Sequence, residues 1–218
     1  MMNCPNCGAV CPEGYRFCML CGSPIQTAAK KGSHWVPILI LVVLSLSGIG
    51  LFFATRETHS AFPYLEIQNH TLYFHSDQYS EGDTLSLPQK VDGQQILYLG
   101  ASSFADADEL ITVILPEGLL EIRQNAFAGC DRIRGMYIPD GVTRLEAGAF
   151  SDCPALEALY IPGTVTYVDA AIFGSNPPAH IFFDGTYEQW RTVYQGEIML
   201  GTGIYCTDGK YFMGIPIP

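Results

Sequence analysis

Apolar positions in the second half of the chain return on a 23-residue beat: Phe104, Phe127, Phe150 and Phe173 keep it, and so do Pro116, Pro139 and Pro162. Further columns hold their apolar character at the same interval, namely Leu119, Val142, Val165, then Ile122, Leu145, Val168, then Val113, Met136, Leu159, Phe182. A period between about 20 and 50 residues is the mark of a stacked solenoid, whose units bury their apolar face only against their neighbours. Within one unit, "ELITVILP" at 109–116 is rich in β-branched residues and closes on Pro, which predicts a short strand ended by a residue without a backbone donor. "IRGMYIP" and "LEALYIP" are its counterparts. After each strand come a turn (Glu117-Gly118, Asp140-Gly141, Gly163-Thr164), a second extended piece such as "GLLEI", and a compact "AFxxC" segment expected to form one helical turn. Stacking at about 4.8 Å per strand would place equivalent residues in continuous columns.

Strand alternation then separates two faces. With Val113 and Leu115 inward, Thr112 and Ile114 point outward, and the outward column is expected to run Ile114, Tyr137, Tyr160, Phe183, with Arg134 and Glu157 at its rim. Aromatic side chains on an outer strand face can anchor a protein or glycan partner. The same column also serves as cross-strand packing that stiffens a sheet. In this register Asp184 falls where a core Ile is expected, and a slip of one residue in the final strand would turn its faces over. Cys130 and Cys153 share a column with Ala107 and Asn176, so they read as small buried hydrophobes and not as a disulfide.

The units at 116–136 and 139–159 resemble the BspA-type leucine-rich repeat family, whose pattern is approximately IPxGVTxIGxxAFxGCxxLxxV. "LPQKVDGQQILYLGASSF" at 87–104 is similar to that family's first unit, and "FFDGTYEQW" with "CTDGK" to its closing segment. The resemblance implies a solenoid used for adhesion or recognition, without catalysis.

The front of the chain is of another kind. Cys4, Cys7, Cys18 and Cys21 form two CxxC pairs, each followed by a glycine, Gly8 and Gly22. Two such turns facing each other can complete a tetrahedral Cys4 zinc site, and a segment this short would take most of its folding free energy from the ion. The CPxCG and FCxxCG pattern resembles zinc-ribbon modules at the start of many bacterial membrane proteins; Cys11 lies outside the paired spacing as a spare thiol. Then "WVPILILVVLSLSGIGLFFAT" at 35–55 runs without a charge, long enough as a helix to span the roughly 30 Å hydrocarbon core. Lys30 and Lys31 precede it, whereas Arg56 is followed at once by Glu57, which orients the N-terminus to the cytoplasm and the large domain outside. The expected organisation is multi-domain: zinc ribbon 1–25, linker 26–34, transmembrane helix 35–55, linker and N-terminal β cap 56–83, leucine-rich repeats 84–184, and C-terminal cap 185–218.

Charge narrows the function. The net charge of −11 is uneven: residues 57–218 hold seven Lys and Arg against 21 acids. Such a domain is poorly suited to nucleic acid, which needs basic groups to displace phosphate counterions. No HExxH, GxSxG or P-loop is present, and His59, His70, His75 and His180 show no ligand spacing. The expectation is a single-pass membrane protein, not an enzyme, that displays a binding solenoid at a bacterial cell surface with a structural zinc ribbon in the cytoplasm. The alternative is a transmembrane sensor that relays ligand binding to a cytoplasmic protein through the ribbon.

Overall fold

The structure is a computed structural model that describes residues 2–3, 10–11, 62–197, 201–212 and 215–217. The four cysteines proposed as zinc ligands and the apolar run at 35–55 lie outside the described residues. Among the described residues, no helix is long and apolar enough to cross a membrane, and no group of His, Cys, Asp and Glu is arranged to hold a metal ion. At the front, β1 (Met2–Asn3) pairs antiparallel with β2 (Val10–Cys11).

The remainder is a solenoid of the kind the 23-residue beat predicts. It starts with an antiparallel hairpin, β3 (Leu65–Gln68) and β4 (Thr71–Phe74). Next come β5 (Thr84–Ser86) and the small hairpin β6 (Lys90–Val91) with β7 (Gln94–Gln95). Each coil then contributes strands to two separate parallel stacks. The first stack collects β8 (Tyr98–Leu99), β10 (Glu121–Ile122), β12 (Arg144–Leu145) and β14 (Tyr167–Val168), extended at one end by β4 and β3. The second collects β11 (Gly135–Tyr137), β13 (Ala158–Ile161), β15 (His180–Phe183) and β16 (Gly203–Cys206). Between them in sequence, β9 (Thr112–Ile114) pairs with β5 in a sheet of its own.

In-register parallel pairing turns the apolar columns into a core. Leu72, Leu99, Ile122, Leu145 and Val168 are fully buried in the first stack, and Met136, Leu159 and Ile181 in the second. The phenylalanine column runs between them. Phe104 and Phe127 stack at 5.0 Å, Phe127 and Phe150 at 5.5 Å with rings 2° from parallel, and Phe150 and Phe173 at 6.4 Å. Phe74 of the hairpin adds a fifth ring, 4.9 Å from Phe104, so the first coil's open end is covered.

The AFxxC segments correct one expectation: they are hydrogen-bonded turns and not helical turns. Within each, alternate N–H groups close short local bonds (Ala126 N to Arg123 O, Ala128 N to Asn125 O), while those between reach the next coil (Phe127 N to Ala149 O, Gly129 N to Ser151 O). The reason lies in two columns of left-handed residues, Ser102, Asn125, Gly148 and Asp106, Gly129, Asp152, all at positive φ. A right-handed helix cannot pass through such residues. A Cβ on Gly148 would run into the Asn125 amide oxygen, and one on Gly129 into the Asp106 carboxylate, so these two glycines are required by space as well as by φ.

The cysteine column also gains a role. Cys130 Sγ donates to Phe104 O at 3.1 Å and Cys153 Sγ to Phe127 O at 3.0 Å, and both thiols are free. Burial raises their pKa, to about 12 for Cys130 and about 11 for Cys153, which keeps the donating proton in place.

At the far end, α1 (Tyr187–Val193) starts with a capping box: Thr186 Oγ1 accepts from Gln189 N and the Gln189 side chain accepts from Thr186 N. It places Trp190 over Phe183, with ring centroids 5.5 Å apart. Beyond β16 the sheet turns antiparallel through β17 (Gly209–Phe212) and β18 (Ile215–Ile217).

Candidate binding face

The outer face of the second stack carries the aromatic column, but in a corrected register. The segment from Phe173 to the next strand is one residue shorter than in the preceding coils, so Leu159 pairs with Ile181 and Tyr160 with Phe182. Ile181 therefore takes the core position expected of Phe182. Phe183, expected outward, is buried against Trp190 in the column of Ile161. The outward column is Tyr137, Tyr160, Phe182, Tyr205, because β16 continues the pairing Phe182 with Tyr205. Asp184 follows in turn: it leaves the core and stands exposed at the end of β15.

These rings form a ladder. Tyr160 and Phe182 stack at 4.5 Å with planes 6° apart, Phe182 and Tyr205 at 4.7 Å and 23°. The joint between Tyr137 and Tyr160 is wider, 6.4 Å with a 35° tilt. Lys210 Nζ sits 4.9 Å from the Tyr205 centroid, and because Phe182 covers the other side of that ring, the lysine caps the ladder's end. Tyr160 is only 4% exposed, so it acts as filling between its neighbours, and Tyr137, Phe182 and Tyr205 meet solvent.

Along the C-terminal ends of these strands runs a groove of about 260 Å³. The ladder rings, Ile161, Pro162, Cys206, Asp140 and Asp184 are among its lining residues. Burial, with Asp208 adding to it, pushes the Cys206 thiol up to about 12, so it enters the groove wall as a neutral group. The other predicted residues lie elsewhere. Ile114 lies on β9, which pairs with β5 and packs beside β11, one rung before Tyr137, but it does not line the groove; exposed Arg134 and Glu157 precede β11 and β13, at the strand ends opposite Asp140 and Asp184. Sequence reasoning missed Phe182, Tyr205, Asp140 and Asp184 as neighbours. The signal for two of them was present: Tyr205 lies 23 residues after Phe182, as Ile204 does after Ile181.

The first stack presents a contrasting outer face. Arg123 lies over the Tyr98 ring at 4.6 Å and Arg144 over Tyr167 at 4.0 Å, and Arg144 pairs with Glu146 at 3.2 Å. Its cations are thus held by the protein's own rings and carboxylates.

The profile of the BspA type leucine rich repeat region, six copies, matches residues 78–192, more than half of the chain. The chain belongs to the BspA-type leucine-rich repeat family. Solved structures with a similar fold include a leucine rich cell surface protein from Faecalibacterium prausnitzii A2-165, at 20% identity and a TM-score of 0.49, covering 62% of this chain and 41% of its own length. The pneumococcal vaccine antigen PcpA is similar at 14% identity and a TM-score of 0.37, covering 62% of this chain and 44% of its own. A T. pallidum leucine rich repeat protein is 16% identical with a TM-score of 0.28, over 61% of this chain and 94% of its own. This chain thus spans less than half the length of the first two. No curated protein matches it. In this BspA-type solenoid the repeat accounts for the buried columns, and the aromatic ladder runs along the outer face of the second stack to Lys210 at its closing end.

Proposed function

We propose that this BspA-type repeat protein is a membrane-anchored binding or adhesion protein. Its solenoid would stand outside the cell, held by the helix at 35–55, with the ribbon in the cytoplasm. In the ribbon Cys4, Cys7, Cys18 and Cys21 would hold a zinc ion as thiolates, and the ion would supply folding free energy to a segment with little core. The observation that carries the binding role is the ladder of Tyr137, Tyr160, Phe182 and Tyr205 beside an apolar groove. Aromatic clusters that are partly open to solvent before binding are frequent anchors of protein interfaces.

The test uses the full chain reconstituted in nanodiscs and immobilised, exposed to panels of purified cell-surface proteins and to a glycan array. Retention of at least one ligand by the wild type, lost in the Phe182→Ser/Tyr205→Ser variant, is the expected result. Equal retention by both forms would move the site away from this face. On intact cells, an external protease should remove the acidic domain while a thiol label fails to reach Cys4; the reverse pattern overturns the orientation.

A further inference from the structure

We propose that β18 is a terminating strand: its central proline leaves the open edge of the second sheet without a backbone donor, so that a second copy of this chain cannot extend the sheet there. The proposal concerns a strand edge and not the ladder face, and it stands whether or not the ladder recognises a ligand. Among the described residues β18 is the outermost strand of that sheet, and it pairs with β17 through Lys210 with Ile217, Tyr211 with Pro216 and Phe212 with Ile215. An unpaired strand edge is ordinarily a template for a further strand. Composition sharpens the hazard here, because "YFMGIPI" at 211–217 carries no charge and is apolar almost throughout, and Phe212 of β17 is 40% exposed.

Which backbone groups meet the open edge follows from the register. Residues opposite one another in an antiparallel pair alternate between those that exchange hydrogen bonds and those that do not. Cys206 pairs with Gly209 across only two residues, Thr207 and Asp208, and a connection of that length closes on a hydrogen-bonded pair. Gly209 and Tyr211 therefore bond toward β16, and Lys210 and Phe212 toward β18. The next connection agrees. Phe212 pairs with Ile215 across two residues as well, so Ile215 and Ile217 direct their N–H and C=O groups at β17. Pro216 is then the residue of β18 whose backbone points outward, and it has no N–H. The sequence carries the same alternation, Ile-Pro-Ile-Pro at 215–218, with donors where the ladder to β17 uses them. Shifted by one residue, the prolines would remove the bonds to β17 instead. Two copies meeting at this edge about a two-fold axis would set residue 216 opposite residue 216. That central pair should exchange two hydrogen bonds, and a proline in each copy removes both.

The experiment replaces Pro216 by Val and, separately, by Ala in the detergent-solubilised full chain. Both restore the N–H, and only Val adds a β-branched side chain. Sedimentation velocity across a wide concentration range measures association, and hydrogen exchange in the peptide 209–218 reports whether this edge is where it occurs. Both variants are expected to associate at concentrations lower than the wild type by about tenfold or more, the gain from two hydrogen bonds. Exchange in 209–218 should slow with concentration in the variants and not in the wild type. Association of Pro216→Val alone would trace the effect to the apolar side chain and overturn the donor argument. Variants that associate no more than the wild type overturn it too, as does a wild type already protected at 209–218 when concentrated. Association that leaves exchange in this peptide unchanged takes place elsewhere and counts against the proposal. A melting temperature lowered in both variants assigns Pro216 to folding and likewise sinks it.

Discussion

Phe127 is the ring on which the solenoid's continuity can be tested most directly. It is fully buried and has a stacked partner on each side, Phe104 at 5.0 Å and Phe150 at 5.5 Å. Truncating a buried Phe to Ala costs about 3–5 kcal/mol through lost transfer free energy and the cavity left behind. Each lost ring pair adds about 0.5–1.5 kcal/mol. For Phe127→Ala, with two pairs lost, this gives about 4–8 kcal/mol, a large share of the roughly 5–15 kcal/mol that holds a domain folded. Phe173, at the column's end, has one ring neighbour in the column, tilted by 31° at 6.4 Å, so Phe173→Ala should cost less by about 0.5–1.5 kcal/mol. Phe127→Leu keeps most of the apolar burial and loses both ring pairs, which predicts about 1–3 kcal/mol. Urea denaturation of the detergent-solubilised chain, followed by far-UV circular dichroism, measures all three. A double-mutant cycle should show coupling between Phe104 and Phe127 and additivity between Phe104 and Phe173. If Phe127→Ala costs under about 1 kcal/mol, or no more than Phe173→Ala, the stacked column is not what joins the coils.

Other perturbations address single features of the same design. Gly148→Ala places a side chain at φ +66° against the Asn125 amide and should destabilise by about 1–3 kcal/mol; an unchanged melting temperature would mean that the turn adapts freely. The buried thiols predict a pH dependence: burial keeps Cys130 and Cys153 protonated in the fold up to about 12 and about 11, while in the unfolded chain they ionise near the ordinary thiol value of 9.0. The unfolded state then binds fewer protons, so their contribution is intact below about pH 9 and declines as pH rises toward 11–12. Melting temperatures across that range measure this, and peptide mapping after alkylation at pH 8 should find both residues unmodified until urea is added. Thr186→Ala removes the cap of α1 and should cost about 1 kcal/mol, seen as earlier hydrogen exchange at 187–193. Elemental analysis of the purified full chain should give one zinc per chain, reduced by Cys18→Ser; no zinc in the wild type would refute the ribbon.

Much of the fold was legible because a solenoid repeats its demands. Every coil needs an apolar residue at the same contour position, so the Phe and Leu/Ile/Val columns could be read without knowing how the strands pair. The turns were read less well, and the cause is local. "AFAGC" has the composition of a helical turn, but helix formation there is blocked by the flanking left-handed residues, and only their recurrence as Ser102, Asn125, Gly148 and Asp106, Gly129, Asp152 reveals them. These are the small and polar types that tolerate positive φ, so the information lies in the recurrence of those two columns. The thiol donation to the carbonyl one coil back had no such signal, because a cysteine's apolar and donor roles look alike in a sequence.

The candidate face shows why register is the hardest thing to read and the most consequential. From Phe104 to Val113, Phe127 to Met136 and Phe150 to Leu159 the chain advances nine residues, but from Phe173 to Ile181 it advances eight, across "GSNPPAH". A strand's side chains alternate, so the missing residue exchanges the faces of Phe182 and Phe183 and carries Asp184 out of the core. Two adjacent phenylalanines satisfy either register by composition alone. What separates them is downstream: Ile204 and Tyr205 resume the beat from Ile181 and Phe182, and β16 can extend the sheet only if inward and outward columns stay in step. The shortened turn thus decides three things together. Phe183 goes inward beneath Trp190, Phe182 bridges Tyr160 and Tyr205, and an acidic residue joins the lining of the groove. Inserting one residue between Ser175 and Asn176 should therefore do more than lengthen a loop. It would favour the register with Phe183 outward and Asp184 facing the core, and burying an unpaired carboxylate there costs several kcal/mol. The insertion variant should accordingly lose stability and ligand binding together. If it retains both, the register of this strand is not what builds the face.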